Sequence, residues 1–105
     1  MIIKNLEDDI VIDSDISILP DVKKGSETFI SYSGILNNSG ADRVYLHYGF
    51  DGWSHPDTVA MNKSVSGAFN TEIKVNGKNE LNFCFKDSAN NWDNNNGSDW
   101  KVEID

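Results

Sequence analysis

Nowhere along this sequence do apolar residues recur at the three- and four-residue spacing of a helix face; short runs alternate apolar with polar between clusters of turn-forming residues. A period of two requires strands with one face buried. Several such strands in a row leave an antiparallel sandwich or barrel as the available architecture, and the predicted fold class is all-β. Residues 27–35 read as one strand, closed by the turn Asn37-Asn38-Ser39-Gly40. In residues 43–50, Val44, Leu46 and Tyr48 share one face, with Tyr45 and His47 on the other. A loop carries Gly52 to Pro56. Phe69, Thr71, Ile73 and Val75 mark a further strand, and Asn76-Gly77 predicts a type I′ hairpin joining it to residues 80–86, where Leu81, Phe83 and Phe85 oppose Asn82, Cys84 and Lys86. Trp100, Val102 and Ile104 alternate with acids and Lys101 in a last strand, which assigns Trp100 to the core. Ile10 to Ile12 and Ile16 to Leu19, interrupted by Asp13-Ser14-Asp15, give one or two strands, so residues 1–25 are an N-terminal strand or junction and 27–105 the core of a single domain.

A chain of 105 residues supports one core but not a core plus a deep catalytic cleft, so a functional site is expected on the surface. Nine basic against seventeen acidic residues give a formal charge of −8, which repels a phosphate backbone and disfavours nucleic acid and anionic membrane; neither is expected as a partner. Cys84 is the only cysteine, which rules out an intrachain disulfide and a Cys-rich zinc site; between Phe83 and Phe85 its expected role is packing. No apolar stretch reaches membrane-spanning length, and the amino terminus carries acids in place of a basic leader. The expectation is a soluble chain, either cytoplasmic or a module cut from a longer secreted polypeptide.

The segment Trp92-Asp93-Asn94-Asn95-Asn96-Gly97 stands apart from the strand pattern. An asparagine-rich turn does not bury itself, and an indole at its head offers a flat apolar face to a ligand. Asn and Asp beside it supply the donors and acceptors that hydroxyl groups require, a combination suited to a sugar ring. Strand alternation puts His47 on the solvent face, just upstream of Gly52-Trp53, where it can join Trp53 and Trp92.

Taken in order, Tyr45-Leu46-His47-Tyr48-Gly49, Gly52-Trp53-Ser54, Met61, Phe69, Phe83 to Lys86 and Trp92-Asp93-Asn94-Asn95 resemble the starch-binding carbohydrate-binding modules of families 25 and 53. The resemblance spans roughly residues 27–105. It implies an immunoglobulin-like β-sandwich that binds α-glucans such as starch, glycogen or maltooligosaccharides and performs no chemistry, with no cofactor and no metal. Carried over by position, His47, Trp53 and Trp92 form the sugar platform, with Asp93 and Asn94 as hydrogen-bonding neighbours. The same resemblance implies a monomeric module of a longer polypeptide, extracellular or at the cell surface. Phe69 replaces a commoner Trp, and the His47–Trp53 loop is short, which alters the angle between the platform rings.

Three rival readings use other residues. A glycosidase would draw on Glu72, Glu80, Asp87 or Asp93, but no apolar pocket surrounds any of them in sequence, and no nucleophile elbow or phosphate-binding loop occurs. A calcium site would draw on Asp87, Asn90, Asn91, Asp93, Asn95 and Asp99, but the EF-hand spacing is missing. A structural or adhesive domain would share the fold without a working glucan site.

Overall fold

A computed structural model describes residues 10–13, 15–19 and 22–105. Its strands, in chain order, are β1 (Ile10–Asp13), β2 (Ile16–Leu19), β3 (Glu27–Tyr32), β4 (Val44–Phe50), β5 (Ser54–Ala60), β6 (Asn62–Lys63), β7 (Phe69–Lys74), β8 (Glu80–Asp87), β9 (Trp92–Asp93) and β10 (Trp100–Glu103). Among the described residues they make two sheets. One runs β1-β2-β3-β7-β6; the other runs β5-β4-β8, with β9 and β10 both pairing with β8. Every pairing is antiparallel. Lettering β2, β3, β4, β5, β6, β7, β8 and β10 as A, B, C, C′, D, E, F and G gives ABED facing GFCC′, the immunoglobulin-like order. Residues 1–9, part of the N-terminal segment that the sequence assigns to a strand or junction, lie outside the described residues.

Alternation fills the space between the sheets. In β3 the buried Thr28, Ile30 and Tyr32 interleave with the exposed Glu27 and Phe29. From the facing sheet Val44, Leu46, Leu81, Phe83 and Phe85 are buried, and Trp100 lies near-parallel to Phe83 with centroids 6.0 Å apart and edge-on to Phe85 at 5.6 Å. Burying each such ring contributes about 2–3 kcal/mol. Trp100 is therefore a core residue, as its alternation predicts.

Three local expectations are corrected. First, Asn76-Gly77 does not close a hairpin: neither residue has a positive φ, and β7 and β8 lie in different sheets, so the segment crosses the sandwich. The glycine serves close approach, since a Cβ there would sit 2.7 Å from Phe50 Cγ and nearer still to its Cβ. Gly77→Ala is accordingly expected to cost about 1–3 kcal/mol, as overpacking does, read as a lower midpoint in urea with an unchanged slope. Second, residues 35–38 form a single helical turn, α1 (Ile35–Asn38), in which the Leu36 N–H donates to Tyr32 Oη at 3.2 Å while Ile35 points outward. Third, the loop read from Gly52 to Pro56 gives way to a strand at Ser54: β5 carries no alternation because nearly all of it is exposed, and it is an edge strand that tolerates Pro56.

Asp51 fastens the β7–β8 crossing to the β4–β5 turn. Its carboxylate accepts the N–H groups of Lys78, Asn79 and Glu80 at 3.0, 2.6 and 3.1 Å. Those bonds, the one from Asn79 foremost, hold its pKa below the ordinary 3.8. A carboxylate depressed on folding stabilises the fold above its unfolded pKa and loses that contribution as pH falls through the folded value. The melting temperature should therefore drop below about pH 4, and Asp51→Asn should lower it at neutral pH while flattening that acid limb.

Candidate functional site

The outward face of the β5-β4-β8 sheet gathers His47, Trp53 and Trp92, whereas Asp93 pairs with core-facing Phe85 and turns its carboxylate toward Tyr32. Because Val44 and Leu46 point into the core, Tyr45 and His47 point away from it, and residues paired across the ladder share their face. His47 pairs with Cys84 on one side and Thr58 on the other, and its Nδ1 lies 2.7 Å from Thr58 Oγ1, which fixes the ring. Tyr45 pairs with Lys86, and Lys86 with Trp92.

Trp53 reaches this face through a strained turn. Asp51, Gly52 and Trp53 have φ of 53°, 83° and 69°, a left-handed path that costs on the order of 1 kcal/mol at each non-glycine residue. Asn82 offsets that cost. Its side chain is 2% exposed on the outward side of β8, and its Oδ1 accepts the N–H of Gly52 at 3.0 Å and of Trp53 at 3.1 Å, while its Nδ2 donates to Glu80 Oε2 at 2.7 Å. Gly49 leaves room beneath, for a Cβ there would come within 3.0 Å of Trp53 Cα. The indole is half-buried and packs against the core cluster.

Trp92 is 47% exposed at the start of β9. The next residue anchors it: Tyr32 Oη donates to Asp93 Oδ2 at 2.6 Å, from a fully buried ring lying 4.1 Å from that of Phe85. Burial first, then the bond to Asp93, pushes the Tyr32 hydroxyl pKa well above its usual value, so it remains a donor at physiological pH. Asn94 Oδ1 accepts the Gly97 N–H at 3.0 Å and Asn95 Nδ2 donates to the Asp99 carbonyl at 3.1 Å. Asn90, Asn95, Asn96 and Asp99 all have positive φ. Much of the asparagine in this segment thus serves turn conformation.

The three rings meet. His47 lies near-parallel to Trp53 with centroids 5.4 Å apart, an offset arrangement, and edge-on to Trp92 at 5.6 Å. Interplanar angles of 24° and 83° leave the two indoles steeply inclined to one another. The Lys86 ammonium stands 5.3 Å from the Trp92 ring and 6.0 Å from that of Tyr45, and donates to Asn90 Oδ1 at 3.0 Å. Cys84 lies buried opposite His47, its pKa pushed up to about 12 by burial and by Asp99 and Asp93, so it is an inert thiol. Asn82, Thr58 and Tyr32 were not singled out by sequence. Two-residue periodicity puts Asn82 on the His47 side of the sheet, and nothing in the sequence pairs Tyr32 with Asp93.

The acidic residues of the rival readings are dispersed. Glu72 stands exposed on β7, in the other sheet, while Glu80 and Asp87 occupy opposite ends of β8. The Asp87 carboxylate accepts N–H groups of Ala89 and Asn91 and the Asn91 amide, which pulls its pKa below the ordinary value. Among the described residues no three His, Cys, Asp or Glu side chains gather as a metal-binding group.

Residues 30–83 match starch/carbohydrate-binding module family 53, a stretch that includes His47, Trp53 and Asn82 and ends before Trp92. Over 79 residues the chain is 39% identical to an alpha-amylase of Clostridium acetobutylicum; the matched part is 74% of this chain and 10% of the amylase. The chain thus spans about a tenth of the length of that curated relative. No solved structure gives a significant match.

Proposed function

The chain belongs to family 53 of the starch/carbohydrate-binding modules, and from that membership we propose that it binds α-glucans by stacking pyranose faces on Trp53 and Trp92 around His47. The observation that carries this reading is the meeting of the three rings on an open sheet face, with the more exposed indole anchored from beneath by Asp93 and Tyr32. The steep angle between the indoles supports an α-glucan over a flat β-linked ribbon, since axial linkages turn successive sugar faces away from one plane. The Lys86 ammonium borders the Trp92 ring and has hydrogen-bonding capacity to offer hydroxyl groups, and Asp93 and Asn94, which follow Trp92 in the chain, are its proposed partners in that role.

Covering one indole face with a pyranose removes on the order of 50–80 Å² of apolar surface, which contributes roughly 1–2 kcal/mol per ring. Two rings and a few exposed hydrogen bonds then give a dissociation constant of roughly 10 μM to 1 mM. Such an affinity is useful where several sites act together on a polymeric ligand, which fits a non-catalytic, monomeric module of a longer, extracellular polypeptide. The partial match to an alpha-amylase supports that placement. The test is electrophoresis through gels containing amylose or glycogen, with cellulose as control, together with tryptophan fluorescence during maltoheptaose titration. Retardation by the α-glucans alone is expected. Unretarded migration and an unchanged emission at millimolar sugar would refute the assignment.

A further inference from the structure

A cleft on the other side of the β4–β5 hairpin is unexplained by the ring platform. Tyr48 alternates with His47 and so faces the sandwich edge, where it lines a cavity of about 320 Å³ with Phe50, Ser54, His55, Asp57 and Asn76. That volume is at the lower end of the range for small-molecule sites. Two irregularities shape it. The β4–β5 register slips between Tyr48 and Phe50, and His55 holds a φ of 49°, a strained conformation for a residue with a side chain. Gly77 completes the wall by letting the β7–β8 crossing lie against Phe50.

The lining chemistry narrows the ligand. Tyr48 and Phe50 supply aromatic surface, their rings edge-on at 5.9 Å. The Tyr48 hydroxyl, the Ser54 hydroxyl, the His55 ring and the Asn76 amide make no hydrogen bond within the described residues, and Asp57 uses only Oδ1, on the Thr58 N–H. Donors and acceptors that the protein itself leaves open to solvent thus converge beside an aromatic wall. An anion is disfavoured, because the Asp51 and Asp57 carboxylates both border the cleft. A hard cation is disfavoured as well: Asp51 is occupied by the three backbone N–H groups, which leaves one open carboxylate where such an ion needs six or more oxygens. A neutral polyhydroxylated ring satisfies both the aromatic surface and the mixed donors and acceptors.

We propose that this cleft is a second saccharide subsite, taking one hexopyranose unit at the end of a glucan chain independently of the ring platform. The platform reading enters only in naming glucan as the source of that unit. A cleft walled by the β4–β5 hairpin on one side and the β7–β8 crossing on the other fits a terminal residue, whereas the open sheet face fits an interior run. Since the two sites lie on opposite sides of one hairpin, a single module would engage two glucan strands, and binding to a polymer would gain from avidity.

Maltose titration of the ¹⁵N-labelled chain by two-dimensional NMR tests this. The Trp92 indole N–H reports the platform; the Asn76 and Gly77 amides, on the β7–β8 crossing, report the cleft. Both sets should shift in the parent protein. In Trp92→Ala the Asn76 and Gly77 signals should still move. In Tyr48→Phe, and more so in Tyr48→Phe/Asp57→Ala, their apparent affinity should fall about tenfold, the loss of one or two hydrogen bonds, while the Trp92 indole responds as before. Tyr48→Phe retains the ring, so it keeps the test valid if the double variant unfolds. Stationary Asn76 and Gly77 amides beside a moving Trp92 indole overturn the cleft alone. Moving amides beside a stationary indole support the cleft and overturn the platform, and no movement in either set overturns both.

Discussion

Trp92→Ala is expected to abolish retention in amylose gels and to weaken maltoheptaose binding about 5- to 30-fold, while leaving the melting temperature within a few degrees of the parent. The binding loss follows from removing one stacking surface, roughly 1–2 kcal/mol. The small stability loss follows from an indole already 47% exposed, whose neighbour Asp93 keeps its bond to Tyr32 when the ring is gone. Trp53→Ala should weaken binding to a similar degree but also lower the melting temperature by several degrees, because that indole packs on the core cluster and fills the space above Gly49. Titration calorimetry with maltoheptaose and scanning calorimetry on the same preparations separate the two effects. Undiminished affinity in Trp92→Ala would remove the indole from the binding surface.

That difference between the two tryptophans marks how far the sequence could be read. Two-residue alternation identifies β3, β4, β7, β8 and β10, and with them the core rings and the outward placement of Tyr45 and His47. The encounter of His47 with Trp53 and Trp92 was accessible through the ordered family pattern, since the ring spacings themselves depend on ladder registers that no local pattern specifies. Two kinds of feature were illegible. Gly77 and Asn76 look like a hairpin turn, yet the glycine answers to Phe50 across the molecule, a constraint of tertiary approach that mimics a local signal. Asn82 looks like a solvent-facing strand residue, yet it is buried because the Trp53 turn folds down over it. Likewise Asp93 and Asn94 read as ligands to a sugar, while the structure commits Asp93 Oδ2 to Tyr32 and Asn94 Oδ1 to the Gly97 N–H. At Asn82 and at Asp93 a polar side chain carries a structural bond that holds the turn or strand from which Trp53 or Trp92 stands.

Asn82→Leu should therefore damage binding and stability together, although Asn82 lies beneath the platform. Leucine keeps much of the volume but removes the acceptor shared by the Gly52 and Trp53 N–H groups and the donor to Glu80. Losing bonds at a site 2% exposed costs about 1–3 kcal/mol for each group left without a partner, less where water can reach it, so a total of about 2–4 kcal/mol is expected. The turn through Asp51 and Trp53 then has less to hold its left-handed path, and Trp53 leaves the position beside His47. Affinity for maltoheptaose should fall about as far as in Trp53→Ala. Asn82→Asp separates position from stability. It keeps the acceptor, and so Trp53 and sugar binding, but sets a second carboxylate against Glu80 Oε2, now 2.7 Å from the Asn82 amide nitrogen. Like charges that close raise a carboxyl pKa, so the resulting destabilisation is present at neutral pH and is relieved as pH falls and the pair takes up a proton. The melting temperature of Asn82→Asp should thus move toward that of the parent between about pH 7 and pH 5, while Asn82→Leu stays low throughout. Parent-like affinity in Asn82→Leu would show that Trp53 holds its place without these bonds.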